Sequence, residues 1–203
     1  MRIITVSREF GSGGREIAKR LSDILGIAYY DREIISEIAK QSDLDENYVA
    51  HSLEKGIQPN FQIHFACAFS HISAPDPTVK LLAAQHDIIN RIAENNDCII
   101  VGRGADVLLE KHNPFRIFVY ADMESKIARC RNRATEDKNL TDKEFMRKIK
   151  QIDKARASSY NLISSTDWGD KKGYDLCINT TNVDIKQITP FIAKYAEQWF
   201  DGI

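Results

Sequence analysis

The feature that most constrains the fold is the alternation of short apolar runs with segments of helical periodicity. Five runs have the character of buried strands, at residues 3–6, 27–30, 98–101, 116–120 and 174–179. Apolar residues at helical spacing separate most of these runs. This alternation predicts βαβ units, in which parallel strands form one sheet and helices cover both of its faces. We therefore expect an α/β fold.

Length and charge narrow the possibilities further. The 203 residues suit one α/β domain, with residues 43–75 predicted as an irregular insert or a lid over a site because they lack clean periodicity. The formal net charge of −1 argues against bulk binding to nucleic acid or to an acidic membrane surface. No apolar stretch approaches the ~18 residues of a transmembrane helix. No signal peptide is recognised either, so we expect a cytoplasmic protein.

A glycine-rich segment, SREFGSGGREI at residues 7–17, follows the first predicted strand directly. Gly11, Gly13 and Gly14 allow backbone N–H groups to converge on a phosphate, and the helix that follows adds its dipole. Ser12 lies within the same turn. The alternative is a glycine-rich turn that only caps the helix. Its position after the first strand favours a phosphate-binding loop.

Two residues of this loop depart from the usual P-loop, which ends in Lys followed by Ser or Thr. Arg15 stands where the Lys would reach the terminal phosphates, and its guanidinium keeps the positive charge. Glu16 stands where a hydroxyl would ligate Mg²⁺. A carboxylate is also a hard oxygen ligand, so Glu16 is a candidate metal ligand. It could equally repel a triphosphate, or simply favour the start of the helix.

Other candidates follow later strands. In VGRGAD, residues 101–106, Arg103 can clamp a phosphate and Asp106 can accept a hydrogen bond from a base or a sugar. Asp31 follows the second strand, where it is also a good helix N-cap. A basic series runs along the later helices, in which Arg129 and Arg133 share a face. Most of that series is expected to be solvated surface charge.

Five segments, in order, resemble the cytidylate kinase-like family, which is similar to the cytidylate and adenylate kinases of the P-loop superfamily. They are SREFGSGGREIAKRL, YYDREII, IIVGRGADVLL, IDKARASSY and DWGDKKGYDLCINT. The resemblance covers nearly the whole chain and is weakest at residues 43–75. It implies a P-loop, three-layer α/β/α nucleoside monophosphate kinase fold with a five-stranded parallel sheet. Residues 43–75 would then be the acceptor-binding insert and residues 131–160 the lid region.

The resemblance also implies roles for particular residues. The loop from Gly11 to Glu16 would cradle the donor phosphates, and Asn179 and Thr180 would hold the donor base. The acceptor nucleotide would face Asp31, Arg103 and Asp106. The lid would bring Arg131, Lys154 and Arg156 over the transferring phosphoryl group, with Asp153 orienting them, so that Arg15 and these three are the candidate catalytic residues.

The leading hypothesis is therefore an enzyme that uses ATP and Mg²⁺ to phosphorylate a nucleoside monophosphate, with CMP or dCMP first. Its partners would be small nucleotides. Two alternatives stay open: a kinase of another small-molecule acceptor, and a nucleotide-binding sensor or interaction protein with little or no turnover. A dinucleotide-binding Rossmann protein is disfavoured, because GSGG lacks the GxGxxG spacing.

Overall fold

A computed structural model describes residues 1–42, 44–54, 77–133 and 140–202 of the chain. The strands within these ranges are β1 Ile3–Arg8, β2 Ala28–Tyr30, β3 Cys98–Val101, β4 Phe115–Tyr120 and β5 Leu176–Asn179. The helices are α1 Gly14–Leu25, α2 Glu33–Ser42, α3 Glu46–Glu54, α4 Pro77–Asn95, α5 Ala105–Leu108, α6 Met123–Arg133, α7 Asp142–Asn161 and α8 Ile185–Asp201. Of the predicted insert, only residues 44–54 are described, and residues 134–139 of the predicted lid region also lie outside the described ranges.

The five strands form one parallel sheet in the order β2-β3-β1-β4-β5. At its centre, Ile4 of β1 pairs with Ile99 on one side and with Phe115 on the other. All four pairings are parallel, so the carboxyl ends of the strands lie at one edge. The predicted five-stranded parallel sheet is confirmed, and each strand overlaps the run that predicted it.

Helices cover both faces of the sheet and enclose two separate cores. On one face α1 packs against α8, and residues such as Leu21 and Ala196 are fully buried between them and the strands. On the other face α2 packs against α4, where Ile34 and Ile89 are fully buried. The alternating pattern of the sequence thus yields three layers. None of the helices in the described ranges is long and apolar enough to cross a membrane.

Local signals set several helix ends. Gly26 ends α1 in a left-handed conformation, as glycine does at helix C-termini. Thr141 and Glu144 form a capping box at the start of α7. The side chain of Asp184 accepts a hydrogen bond from the N–H of Lys186 at the start of α8. Helices α6 and α7 pack together and form a third, smaller cluster of buried residues.

Candidate functional site

The phosphate-loop candidate follows β1 at the carboxyl edge of the sheet and is fixed by contacts from distant parts of the chain. The hydroxyl of Thr180, just after β5, donates to the carbonyl of Ser12 over 2.7 Å. Arg129 of α6 donates to the carbonyl and hydroxyl oxygens of Thr180. Thr180 is fully buried. Thr180 therefore links the loop to the turn between β5 and α8.

A buried lysine of α6 pairs with carboxylates of the loop and of α7. Lys126 of α6 is only 4% exposed, and its Nζ lies 3.1 Å from Glu9 Oε2 and 2.9 Å from Asp153 Oδ2. The other oxygen of Asp153 accepts from the backbone N–H of Phe10 over 2.6 Å. One network thus joins the loop to α6 and α7. The predicted orienting residue Asp153 lies within it, whereas Lys126 was not among the sequence candidates.

The first cavity, of about 270 Å³, opens over this loop. Gly11, Gly13 and Gly14 form part of its wall, and helices α6 and α7 supply Phe145, Ile149 and Cys130. Among the described residues, six of its lining side chains are cationic and only Glu9 is acidic. The cations are Arg8, Arg15, Arg129, Arg133, Lys148 and Arg156. A cavity with this excess of positive charge suits a ligand with several negative charges.

The second cavity, of about 240 Å³, lies beyond β1 toward β3. Five arginines line it, whereas none of the described acidic side chains does. The arginines are Arg8, Arg15, Arg32, Arg103 and Arg156. Apolar and aromatic groups, among them Leu82, Ile163 and Trp168, complete the wall. The cavity therefore offers an anion site beside a surface on which a planar or apolar group can lie.

The two cavities share one wall, made of Arg8, Phe10, Arg15 and Arg156. The Arg8 side chain is 13% exposed, and its guanidinium packs onto Gly102, where a Cβ would lie 1.8 Å from Nη1. Gly102 therefore has to be glycine for Arg8 to reach this position. Burial, and then the neighbouring Arg156, lower the pKa of Arg8 well below its ordinary value. An anion in either cavity would relieve this repulsion.

Arg15 and Asp31 form an ion pair, with 2.6 Å between Arg15 Nε and Asp31 Oδ2. Arg8 Nη2 lies 3.7 Å from the other carboxylate oxygen, which has no hydrogen-bond partner although Asp31 is only 4% exposed. The prediction that Asp31 caps the next helix is wrong. Helix α2 begins two residues later, at Glu33, and the arginines hold the Asp31 carboxylate instead.

Arg103 and Asp106 lie in the turn after β3 and in α5. Arg103 has a left-handed backbone, with φ of 63°, and lines the second cavity, while its role toward an acceptor stays a prediction. Asp106 is buried, accepting from the Tyr160 hydroxyl at 2.8 Å and from the Ser7 hydroxyl at 3.4 Å. Burial raises the pKa of the Asp106 carboxyl. Tyr160 and Ser7 line the cavity in its place, so direct contact of Asp106 with an acceptor gains no support.

Three predicted residues lie away from both cavity walls. Arg131 pairs with Asp142 at 2.5 Å and lies over the ring of Phe145, Lys154 is exposed, and the Asn179 side chain accepts from the N–H of Thr181. The neighbouring Arg129 and Arg133 line the first cavity instead. Their shared helix face, visible in the sequence, is the signal that points to them. The roles predicted for the three residues stay predictions.

The carboxylates near the loop do not form a metal site. Glu16 pairs with Arg133 and, at 3.0 Å, with Arg20. The Ser12 hydroxyl donates to the carbonyl of Glu9 over 2.9 Å. Within the described ranges, no three His, Cys, Asp or Glu residues cluster so as to hold a metal ion. The residues present therefore do not fit a magnesium ion that is ligated by side chains, and the predicted metal role of Glu16 is not supported by its partners.

Comparison with known proteins identifies the family. Residues 3–182 match the cytidylate kinase-like family. The chain belongs to this family. No curated protein sequence matches the chain. Membership of a kinase-like family agrees with a cationic cavity at the carboxyl edge of a parallel sheet.

Solved structures agree on the fold that the family resemblance implied. An uncharacterized protein from Eubacterium ventriosum has 27% identity and a TM-score of 0.71, over 97% of this chain and 99% of that chain. Shikimate kinase from Bacteroides thetaiotaomicron has 15% identity and a TM-score of 0.58, over 97% and 98% of the two chains. Shikimate kinase from Acinetobacter baumannii has 13% identity and a TM-score of 0.55, over 98% and 94%. The fold is that of P-loop kinases, as predicted.

Proposed function

We propose that the chain catalyses phosphoryl transfer from ATP to a nucleoside monophosphate, with CMP or dCMP as the first acceptors to test. The observation that carries this proposal is the pair of cationic cavities with a common wall of Arg8, Arg15 and Arg156. A kinase needs two anionic substrates held close together. Two cavities that share a wall of guanidinium groups can hold two such substrates side by side.

The donor would place its phosphates over the glycine loop in the first cavity, where backbone N–H groups and the start of α1 face them. The monophosphate of the acceptor would enter the second cavity, with Arg103 and Arg32 binding its phosphate. Trp168 and Leu82 offer the surface on which its base can lie.

Positioning and charge stabilisation would supply most of the catalysis. Negative charge spreads over the moving phosphoryl group, and prearranged guanidinium groups stabilise it because they need no reorganisation during the reaction. The shared wall lies between the donor and acceptor cavities, so Arg15 and Arg156 are the proposed catalytic residues. A phosphate acceptor is already ionised at neutral pH and requires no general base.

A coupled assay of ADP release with a panel of nucleoside monophosphates tests the proposal. Arg156→Met is expected to lower kcat, and Arg103→Asn to raise the KM of the acceptor, since asparagine tolerates the left-handed backbone at that position. Arg91→Met is the matched control, because Arg91 is an exposed arginine of α4 that donates a hydrogen bond to the Gln41 side chain and lines neither cavity. Absence of turnover with every acceptor would contradict the proposal.

A second candidate is nucleotide binding with little or no turnover. It is favoured by the ion pairs that engage both altered loop residues, Arg15 with Asp31 and Glu16 with Arg133. The same panel separates the two functions. Saturable nucleotide binding without ADP release from any acceptor would establish binding alone.

A further inference from the structure

Three carboxylates beside the phosphate loop, those of Glu9, Glu16 and Asp153, are each paired with a cation of the chain. Glu9 lies 3.1 Å from Lys126 and also accepts from the N–H of Ala121. Asp153 lies 2.9 Å from the same lysine. Glu16, at the position where a P-loop carries a hydroxyl, lies between two arginines. A metal ion would have to displace one of these cations to gain a side-chain ligand.

Cations already surround the space that the donor phosphates would enter. Six cations line the first cavity, against one acidic side chain among the described residues of its wall, and two of the six, Arg15 and Arg133, also pair with Asp31 and Glu16. Burial, and then the charge of Arg133, lower the pKa of Arg129, so these groups repel one another in the absence of an anion. A triphosphate brings several negative charges that would reduce this repulsion.

We propose that this cavity binds a nucleoside triphosphate as the metal-free anion, with guanidinium groups providing the neutralisation that a protein-held Mg²⁺ provides in other P-loop proteins. The proposal rests on the proposed function, since it concerns the donor half of the same site. It assigns Glu16 to setting the position of Arg133. It also makes the charge of the ligand, rather than a bound metal, the main determinant of affinity.

Calorimetric titration at fixed ionic strength tests this directly. ATP and inorganic tripolyphosphate are titrated into the whole protein, once in EDTA and once in excess Mg²⁺. We expect each ligand to bind in EDTA at least as tightly as with Mg²⁺, since the metal removes two of its negative charges. A loss of affinity of about tenfold or more in EDTA would overturn the inference.

Three variants sharpen the test, because Arg133 and Arg20 both pair with Glu16 but only Arg133 lines the cavity. Arg133→Met should weaken binding of tripolyphosphate in EDTA by about tenfold, as expected for a lost bond between charged groups. Arg20→Met should change it by less than about twofold. Equal effects of the two variants would contradict the assignment of Arg133.

Glu16→Gln separates the two interpretations by its effect on binding in the presence of Mg²⁺. If Glu16 does not ligate the metal, removing its negative charge leaves binding unchanged or tighter both in EDTA and with Mg²⁺. If Glu16 ligates Mg²⁺, the variant loses affinity in the presence of Mg²⁺ and is unaffected in EDTA. The second pattern would overturn the inference.

The outcomes also separate this inference from the proposed function. Binding that requires Mg²⁺, together with turnover of a monophosphate, would refute metal-free binding and leave the kinase intact. Binding in EDTA without turnover would support the inference and refute the kinase. Failure of ATP and tripolyphosphate to bind under either condition would refute both.

Discussion

Replacing Lys126 with methionine tests whether the buried network under the phosphate loop holds the loop in place. The change keeps most of the length and volume of the side chain but removes its charge. Two carboxylates, Glu9 and Asp153, then lose a partner at 3.1 and 2.9 Å. Their side chains are only 27% and 15% exposed, so water can replace the lost ammonium group only in part.

Removing one partner of a buried ion pair costs about 3–5 kcal/mol of unfolding free energy. The cost here should lie near the lower end, at about 3 kcal/mol, because both carboxylates keep other donors. Glu9 keeps the N–H of Ala121, and Asp153 keeps the N–H of Phe10. For a chain of this length that is a fall in Tm of roughly 6–12 °C.

Urea denaturation gives the free energy, and titration of tripolyphosphate gives the consequence for the loop. Lys19→Met is the matched control, because Lys19 forms a 2.9 Å pair with Asp23 in which both side chains are more than half exposed. That variant should lose less than about 0.5 kcal/mol. If Lys126→Met costs no more than Lys19→Met, or leaves anion binding unchanged, the network does not hold the loop.

Three further changes test other parts of the site. Gly13→Ala should lower the free energy of unfolding by about 2–4 kcal/mol and abolish anion binding, because φ is +88° and the new Cβ would lie 2.1 Å from Ile185 Cδ1. Its control is Gly26→Ala, where φ is +65° and no described atom lies within 4 Å of the new Cβ. That change should lower the free energy of unfolding by about 1 kcal/mol in the same denaturation assay. Alkylation of Cys130, which lines the first cavity, should slow when tripolyphosphate binds, whereas that of the exposed Cys177 should not, and peptide mass spectrometry measures both. Burial raises the folded-state pKa of Asp106, so the stability of the parent protein relative to Asp106→Asn should fall as pH rises from the ordinary carboxyl pKa through the raised one. A pH-independent difference between these two proteins in urea denaturation would contradict that reasoning.

The sheet could be predicted from the sequence, and some helix ends carry signals there, because their causes are local. Apolar runs such as residues 98–101 predict buried strands by themselves, and the Thr141–Glu144 capping box lies within four residues. The loop of Gly11 to Gly14 could be placed for the same reason, since it follows a strand directly. Asp31 shows the limit of such reasoning. Its neighbours in sequence favoured a cap, but arginines from β1 and α1 hold its carboxylate.

The arginines of α6 show how two kinds of sequence argument can disagree. Family resemblance pointed to Arg131, whereas helical geometry placed Arg129 and Arg133 on one face. The structure brings the latter pair to the cavity and turns Arg131 toward Asp142. A residue's direction on a helix follows from 3.6 residues per turn, whatever role a family resemblance implies for it.

Lys126 and Arg8 were not among the sequence candidates, although the sequence carries a signal for each. Lys126 is on the buried side of α6 next to Ile127, and a lysine at an apolar position is itself a signal of a buried partner. The sequence cannot say which partner, because Glu9 is 117 residues away. Arg8 ends β1 directly before the loop, so the rule that ligands bind at strand ends was sufficient to nominate it.

The net charge of −1 concealed the main property of the site, since it sums over residues that the fold separates. Eight different cationic side chains line the two cavities, while the nearby acids are turned toward particular partners such as Lys126 and Arg20. Bringing these like charges together lowers the free energy of unfolding, in keeping with the lowered pKa of Arg8. Such an arrangement is stabilised when polyanions bind. The stability of this chain should therefore depend on phosphate ligands more steeply than its composition suggests.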